Sequence, residues 1–240
     1  MLWIMVFCAG IMAGVVNALT GFGSSIMMMT VLPSFFDMLT APALSTASTT
    51  PVNTLQAWRF HRHIPWKICL LPSTVYLICS TVAIHVAGGM DLRFLKMVMS
   101  VFLMALSVYF LRFSDKASIR PTLRNALVCS VISGFCCGWF GIGGPLMALF
   151  FLSATKTKEA YIGCTQFLFA FTNFFNILYR IYLGVYTLPL LLVSGTAVVG
   201  TALGRKLGML LFHRIDRERL KKLVYLFLGL AGAINLAGCF

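Results

Sequence analysis

Acidic residues are almost missing from this chain: six aspartates and glutamates stand against 19 lysines and arginines in 240 residues. All six (Asp37, Asp91, Asp115, Glu159, Asp216 and Glu218) fall between apolar runs or at their ends. No carboxylate sits in mid-run, so the carboxylate relays of many proton-coupled pumps have no anchor and a cation carrier is disfavoured. Charge of either sign is scarce, at 10% of residues, while 60% are hydrophobic and the mean hydropathy is +0.92. That balance excludes a soluble domain of this size. The eight cysteines form no CxxC and no His-flanked cluster, which argues against a metal site or a disulfide framework. They read as small apolar side chains. No G-x-x-x-x-G-K-[ST] loop occurs, so ATP-driven transport has no motor within this chain. No grouping of nucleophile, base and metal ligands appears either, and neither an enzyme nor a cofactor is expected. Met1-Leu-Trp-Ile-Met-Val-Phe7 lacks a basic leader region, so the first segment reads as retained rather than cleaved.

What the chain does have is a series of apolar runs near the roughly 20 residues that one membrane crossing requires. Charge and proline punctuation divide them into eight segments, 2–33, 41–58, 67–88, 94–112, 125–152, 159–180, 187–204 and 222–238. The expectation is an all-α membrane protein. The net charge of +13 then reflects basic loops facing the cytoplasm, with no nucleic-acid partner implied.

The sequence also nearly repeats itself. Gly14-Val-Val-Asn-Ala-Leu-Thr-Gly21-Phe-Gly23-Ser24 is answered, half a chain later, by Gly134-Phe-Cys-Cys-Gly-Trp-Phe-Gly141-Ile-Gly143-Gly144. Each copy interrupts a long apolar segment, the first and the fifth. This divides the chain into a first membrane repeat (1–112), a cytoplasmic linker (113–124) and a second membrane repeat (125–240). Glycine permits the positive-φ turns such a break needs and lets backbone N–H groups approach a ligand. Pro145 suits the first turn of the helix that follows. A single such motif more often serves close helix packing. Its recurrence favours a substrate site at an internal symmetry interface, as in many transporters.

Basic residues decide the topology. If all eight segments crossed, lysine and arginine would be spread evenly over both sides. If the first and fifth are instead re-entrant or broken helical hairpins, nearly all share one side and only Arg93, Lys96 and Arg180 lie opposite. The positive-inside rule prefers the hairpins. Each repeat is then a hairpin plus three transmembrane helices, an odd number of crossings. The repeats are therefore inverted, with both termini outside. Hairpin arms of about 14 residues reach about 20 Å and carry each break to mid-membrane depth. Two inverted helix N-termini aimed at one point favour an anion.

The segment after each hairpin is polar for a membrane helix. Ser45, Thr46, Ser48, Thr49, Thr50, Asn53, Thr54 and Gln56 follow the first; Thr165, Gln166, Thr172, Asn173 and Asn176 follow the second. Neutral donors of this kind suit an oxyanion in the membrane, where fixed charge is expensive. They equally suit hydrogen bonding between helices. The candidate substrate-binding set is Gly21, Gly23, Ser24, Ser25, Thr46, Ser48, Asn53, Gly141, Gly143, Gly144, Thr165, Gln166 and Asn173. Arg59 and Arg180 end the two polar helices, either complementing the helix dipole or attracting anions at opposite mouths of a pathway. His85 is the sole histidine within an apolar segment.

Gly141-Ile-Gly-Gly-Pro-Leu146, with Gly134 seven residues before it and Ala160-Tyr-Ile-Gly-Cys-Thr165 after it, resembles the signature of the sulfite exporter TauE/SafE family. Gly14, Gly21-Phe-Gly23, Ala43-Leu-Ser-Thr-Ala-Ser48 and Arg59-Phe-His-Arg62-His-Ile-Pro-Trp66 extend the resemblance through the first half. It implies an integral carrier of the bacterial inner membrane that exports sulfite, sulfonates or related sulfur anions. Its partners would be a small anion and the bilayer, with a homo-oligomer left open. An anion channel or a non-transport assembly protein remain the alternatives.

Overall fold

The computed structural model describes residues 2–20, 23–113, 119–211, 226, 229–230 and 232–238. Among these, the regular structure is helical throughout, without strands. The first half holds α1 (Leu2–Thr20), α2 (Ser24–Val31), α3 (Thr40–Arg59), α4 (Trp66–Ala87) and α5 (Leu92–Phe113). The second holds α6 (Leu123–Phe140), α7 (Gly144–Ala154), α8 (Lys158–Tyr182) and α9 (Leu188–Leu211). The linker residues 114–118, and residues 222–225, 227–228 and 231 of the predicted segment 222–238, fall outside the described residues, while 232–237 of that segment are helical.

Helices α4, α5, α6 and α9 are long and apolar enough to cross a membrane, and the protein is a multi-pass membrane protein. Outward-facing Leu70, Ile78, Val101, Leu178 and Leu192 supply apolar surface suited to lipid. Helices α3 and α8 are 20 and 25 residues long but carry the hydroxyl and amide side chains that lower their hydropathy. Local caps start them where the sequence turns polar. The Asp37 carboxylate accepts from the N–H groups of Leu39 and Thr40 at 2.8 Å, and the Thr157 hydroxyl accepts from Ala160 N–H.

Two boundaries differ from the expectation. The hairpin arms are unequal, 19 and 8 residues in the first half and 18 and 11 in the second, instead of about 14 each. The short arms rise about 12 and 16 Å, roughly half the thickness of a bilayer core. Helix α9 also continues to Leu211, seven residues past the predicted end at 204. Arg205 and Lys206 interrupt its hydropathy but not its backbone hydrogen bonding.

That continuation follows from how α9 is packed. Gly10 and Gly14 of α1 face Gly200 and Gly204 of α9, and Gly208 faces Val15 and Ala18. A Cβ on Gly10 would lie 2.9 Å from the Ala197 carbonyl oxygen, and one on Gly14 would overlap that of Thr201. Small residues every fourth position let the two backbones touch, which is how helices associate in lipid, where apolar burial drives little. Gly134 and Gly138 of α6 do the same against α4, where a Cβ on Gly134 would lie 2.7 Å from the Tyr76 carbonyl oxygen.

The pairing crosses the halves. Helix α1 packs chiefly on α9, α6 on α4, and α3 on α8 between them. One buried cluster joins α1, α2, α3 and α5 to α9 through Ala13, Met28, Leu44, Met99 and Ala197. The other joins α4 to α6, α7 and α8 through Tyr76, Cys129, Met147, Phe151 and Leu168. Each hairpin is thus held by a helix from the opposite half, and the space between the two clusters lies where the breaks meet.

Candidate functional site

The second break is fixed by backbone. Helix α6 ends at Gly141 in the left-handed region, at φ 67°, a conformation costly for any residue with a Cβ. The N–H groups of Gly141 and Ile142 turn back onto the carbonyls of Cys137 and Cys136. Helix α7 begins immediately with Gly144-Pro145. Gly143 has φ −119°, so it is required for room and not for its torsion. A Cβ there would collide with the Tyr76 hydroxyl and the Ser133 carbonyl.

At the first break, Gly23 precedes α2 at φ −80°, open to any residue. Gly21 lies outside the described residues. Among the described residues beside it, side chains make the connection. Asn17 of α1, 3% exposed, donates from Nδ2 to the Ser24 Oγ at 2.9 Å.

Both breaks open onto one enclosed cavity of about 20 Å³, room for a single water. Asn17, Ser24 and Ser25 line one side, with Gly141, Gly143 and Gly144 on the other. Asn53 of α3, Asn173 of α8 and Tyr76 of α4 complete the polar wall. The starts of α2 and α7 therefore meet at this cavity, and each first turn has N–H groups without intrahelical acceptors. Asn53 is 4% exposed and its amide oxygen has no partner. Asn173 donates to the Thr49 hydroxyl at 3.4 Å.

A cation is buried nearby. Arg180 of α8 is 2% exposed, with Nη1 donating to the Leu39 carbonyl and Nη2 to the Gly138 carbonyl, both at 3.0 Å. Its Nε has no partner. The Tyr186 hydroxyl donates to the Ala43 carbonyl at 2.7 Å on the same end of the bundle. Neutral acceptors do not cancel a buried guanidinium's charge, so the region keeps a net positive potential.

The sequence matches the family described as sulfite exporter TauE/SafE over residues 6–235. The chain belongs to that family. It is 25% identical to a Methanocaldococcus jannaschii protein described as a probable membrane transporter, over 97% of this chain and 94% of the relative. No solved structure matches it significantly. This TauE/SafE protein is accordingly a membrane transporter.

Within it, the residues singled out from sequence separate into two groups. Ser24, Ser25, Asn53, Gly141, Gly143, Gly144 and Asn173 meet at the cavity. Gly23 caps the helix beside it. Thr46, Ser48 and Thr165 are buried, but their hydroxyls bond back to Pro42, Ser45 and Tyr161 carbonyls of their own helices. Gln166 is buried on α8 and does not line the cavity. Arg59 is exposed, with its guanidinium 5.9 Å from the Phe60 ring centroid. Arg59 and Arg180 are thus not counterparts: one is at the surface and the other in the interior.

Two residues were missed, and the sequence leaves a third, Asn17, open between touching substrate and capping backbone. Asn17 and Tyr76 line the cavity, and Arg205 of α9 donates from Nη1 to the Asn17 Oδ1 at 3.2 Å. Asn17 was legible as a polar residue just before a break. Tyr76 carried no signal among so many aromatics. The glycines at 200, 204 and 208, spaced by four across Arg205, could have shown that the helix and its packed face continue past that charge. Among the described residues, no group of three or more His, Cys, Asp or Glu could hold a metal ion.

Proposed function

We propose that this transporter exports a small sulfur oxyanion, sulfite or a sulfonate, by alternating access around the cavity between the two breaks. The convergence of both helix starts with Asn53 and Asn173 on one enclosed space carries this reading. Helix starts and amides supply N–H donors without fixed charge, the means of holding an anion where water is excluded. Asn53 presents an unpartnered acceptor as well as a donor, which suits an anion bearing a hydroxyl, such as hydrogensulfite. The cavity is smaller than such an anion, so loading requires the walls to separate. The helices that would move are grouped around each hairpin.

Residues 1–112 and 125–240 act as inverted repeats in this reading. The exchange of partners, α1 with α9 and α6 with α4, around a central α3–α8 pair, supports a two-fold relation between them. In this reading the α9 C-terminal end is cytoplasmic and both termini are outside, which the basic loops support, and the membrane is a cell's inner membrane, which the family supports. Arg180 then lies on the exterior side of the cavity, where its positive potential draws the anion outward.

Flux of sulfite and methanesulfonate from proteoliposomes tests the proposal. Wild-type protein should give saturable flux, and Asn173→Asp, nearly isosteric but acidic, should lower it at least about tenfold. Absence of flux from folded wild-type protein, or flux untouched by the substitution, overturns it.

A further inference from the structure

Arg205 sits six residues inside the end of α9 at Leu211, and its side chain is half-buried. The glycine contacts between α9 and α1 hold it against the tip of the first hairpin. There it makes the first of two linked hydrogen bonds, Arg205 Nη1 to Asn17 Oδ1 at 3.2 Å and Asn17 Nδ2 to Ser24 Oγ at 2.9 Å. Asn17 and Ser24 are 3% and 4% exposed and both line the cavity.

The direction of these bonds has one solution. A guanidinium only donates, so the carboxamide atom facing it must be the oxygen. The amide nitrogen then faces Ser24, whose hydroxyl oxygen is occupied as an acceptor. The hydroxyl hydrogen is left to point elsewhere, and the space it borders is the cavity. Without the guanidinium, Asn17 is free to flip, and the hydroxyl hydrogen can turn toward its oxygen and away from the cavity. The only titratable group that weighs on Arg205 from the described residues around it is Arg59, a like charge.

We propose that Arg205 is a positioning residue for the anion site: acting through Asn17, it holds the Ser24 hydroxyl as a hydrogen-bond donor to an oxyanion in the cavity. This rests on the anion-carrier reading above. It gives the site a cytoplasmic half built from side chains, facing the backbone half at Gly141–Gly144.

The test is the KM and maximal rate of sulfite flux in proteoliposomes for Asn17→Asp, Ser24→Ala and the double variant. Asn17→Asp keeps an acceptor for Arg205, and with it the α1–α9 contact, but cannot donate to Ser24. Its KM should rise about tenfold with little change in maximal rate. Ser24→Ala should show a similar rise without any added charge, and the double variant should be no worse than the worse single, because both break one linkage. A raised KM for Asn17→Asp with Ser24→Ala unaffected reduces the effect to charge repulsion and overturns the relay. Additive effects in the double variant overturn it too. If wild-type protein carries no anion at all, the anion-carrier reading itself fails; if it transports normally and the variants keep their KM, only the relay does.

Discussion

The two breaks perform one structural task by different means. At the second, the chain turns because Gly141 adopts a left-handed torsion and Gly143 has no room for a side chain. At the first, Gly23 has an ordinary torsion, and the cavity wall is set by the Asn17–Ser24 hydrogen bond with Arg205 behind it. Among the described residues, the second break is marked by what is missing from the backbone and the first by a polar network. Two breaks of similar sequence need not share the chemistry around them. A backbone turn costs nothing in side-chain entropy but penalises every substitution, whereas a side-chain network can be retuned residue by residue.

The arginines repeat the contrast. Arg180 is fully buried and spends two N–H groups on the carbonyls of Leu39 and Gly138, from two different segments. Arg205 is half-buried and addresses one amide. They come from consecutive antiparallel helices, near the C-terminal end of each, and so approach the breaks from opposite ends of the bundle.

The largest expected effect follows from that difference. Arg180→Met should reduce anion flux by more than about thirtyfold, because it removes the buried charge and leaves the Gly138 carbonyl at the end of α6 without its partner, at about 1–3 kcal/mol. Arg205→Met should cost less, chiefly in KM. Flux measured side by side checks the order, and the reverse order would break the comparison. A smaller effect sharpens the contrast between the breaks themselves. Gly141→Ala should cost about 1–2 kcal/mol of stability from its torsion alone, lowering the unfolding temperature in detergent, while Gly23→Ala carries no such penalty. Equal losses would show that the first turn is as backbone-limited as the second. The smallest effect is on function, where none is expected. Cysteines introduced by Lys156→Cys and Asp37→Cys should be labelled by an impermeant thiol reagent from opposite sides, the former from the cytoplasm. Labelling from one side would remove the inverted relation between the hairpins.

Much of the site could be read in advance, for a physical reason. A break in a membrane helix must be written into the sequence as glycine or proline, because lipid offers no solvent to satisfy a loosened backbone. Polar side chains there are expensive enough that the helices carrying Asn53 and Asn173 stand out against the apolar segments around them. Arg205 was hidden by the same logic run in reverse. A charge after a long apolar run looks like the membrane surface, and hydropathy cannot tell a helix end from a helix that continues into protein. The hydroxyls misled in another way. Thr46, Ser48 and Thr165 satisfy themselves on their own helices, and composition does not show which hydroxyl has a partner one turn away.

The sequence by itself determined the membrane class, the family, the two breaks and the polar helices beside them, since each is a local consequence of residue type in an apolar solvent. Only the tertiary structure decided which half's helix supports which hairpin, which polar residues share one cavity, and that a guanidinium from α9 stands behind Asn17. Those facts depend on contacts between residues far apart in the chain, made by backbones that touch at glycine, and no local pattern encodes the partner.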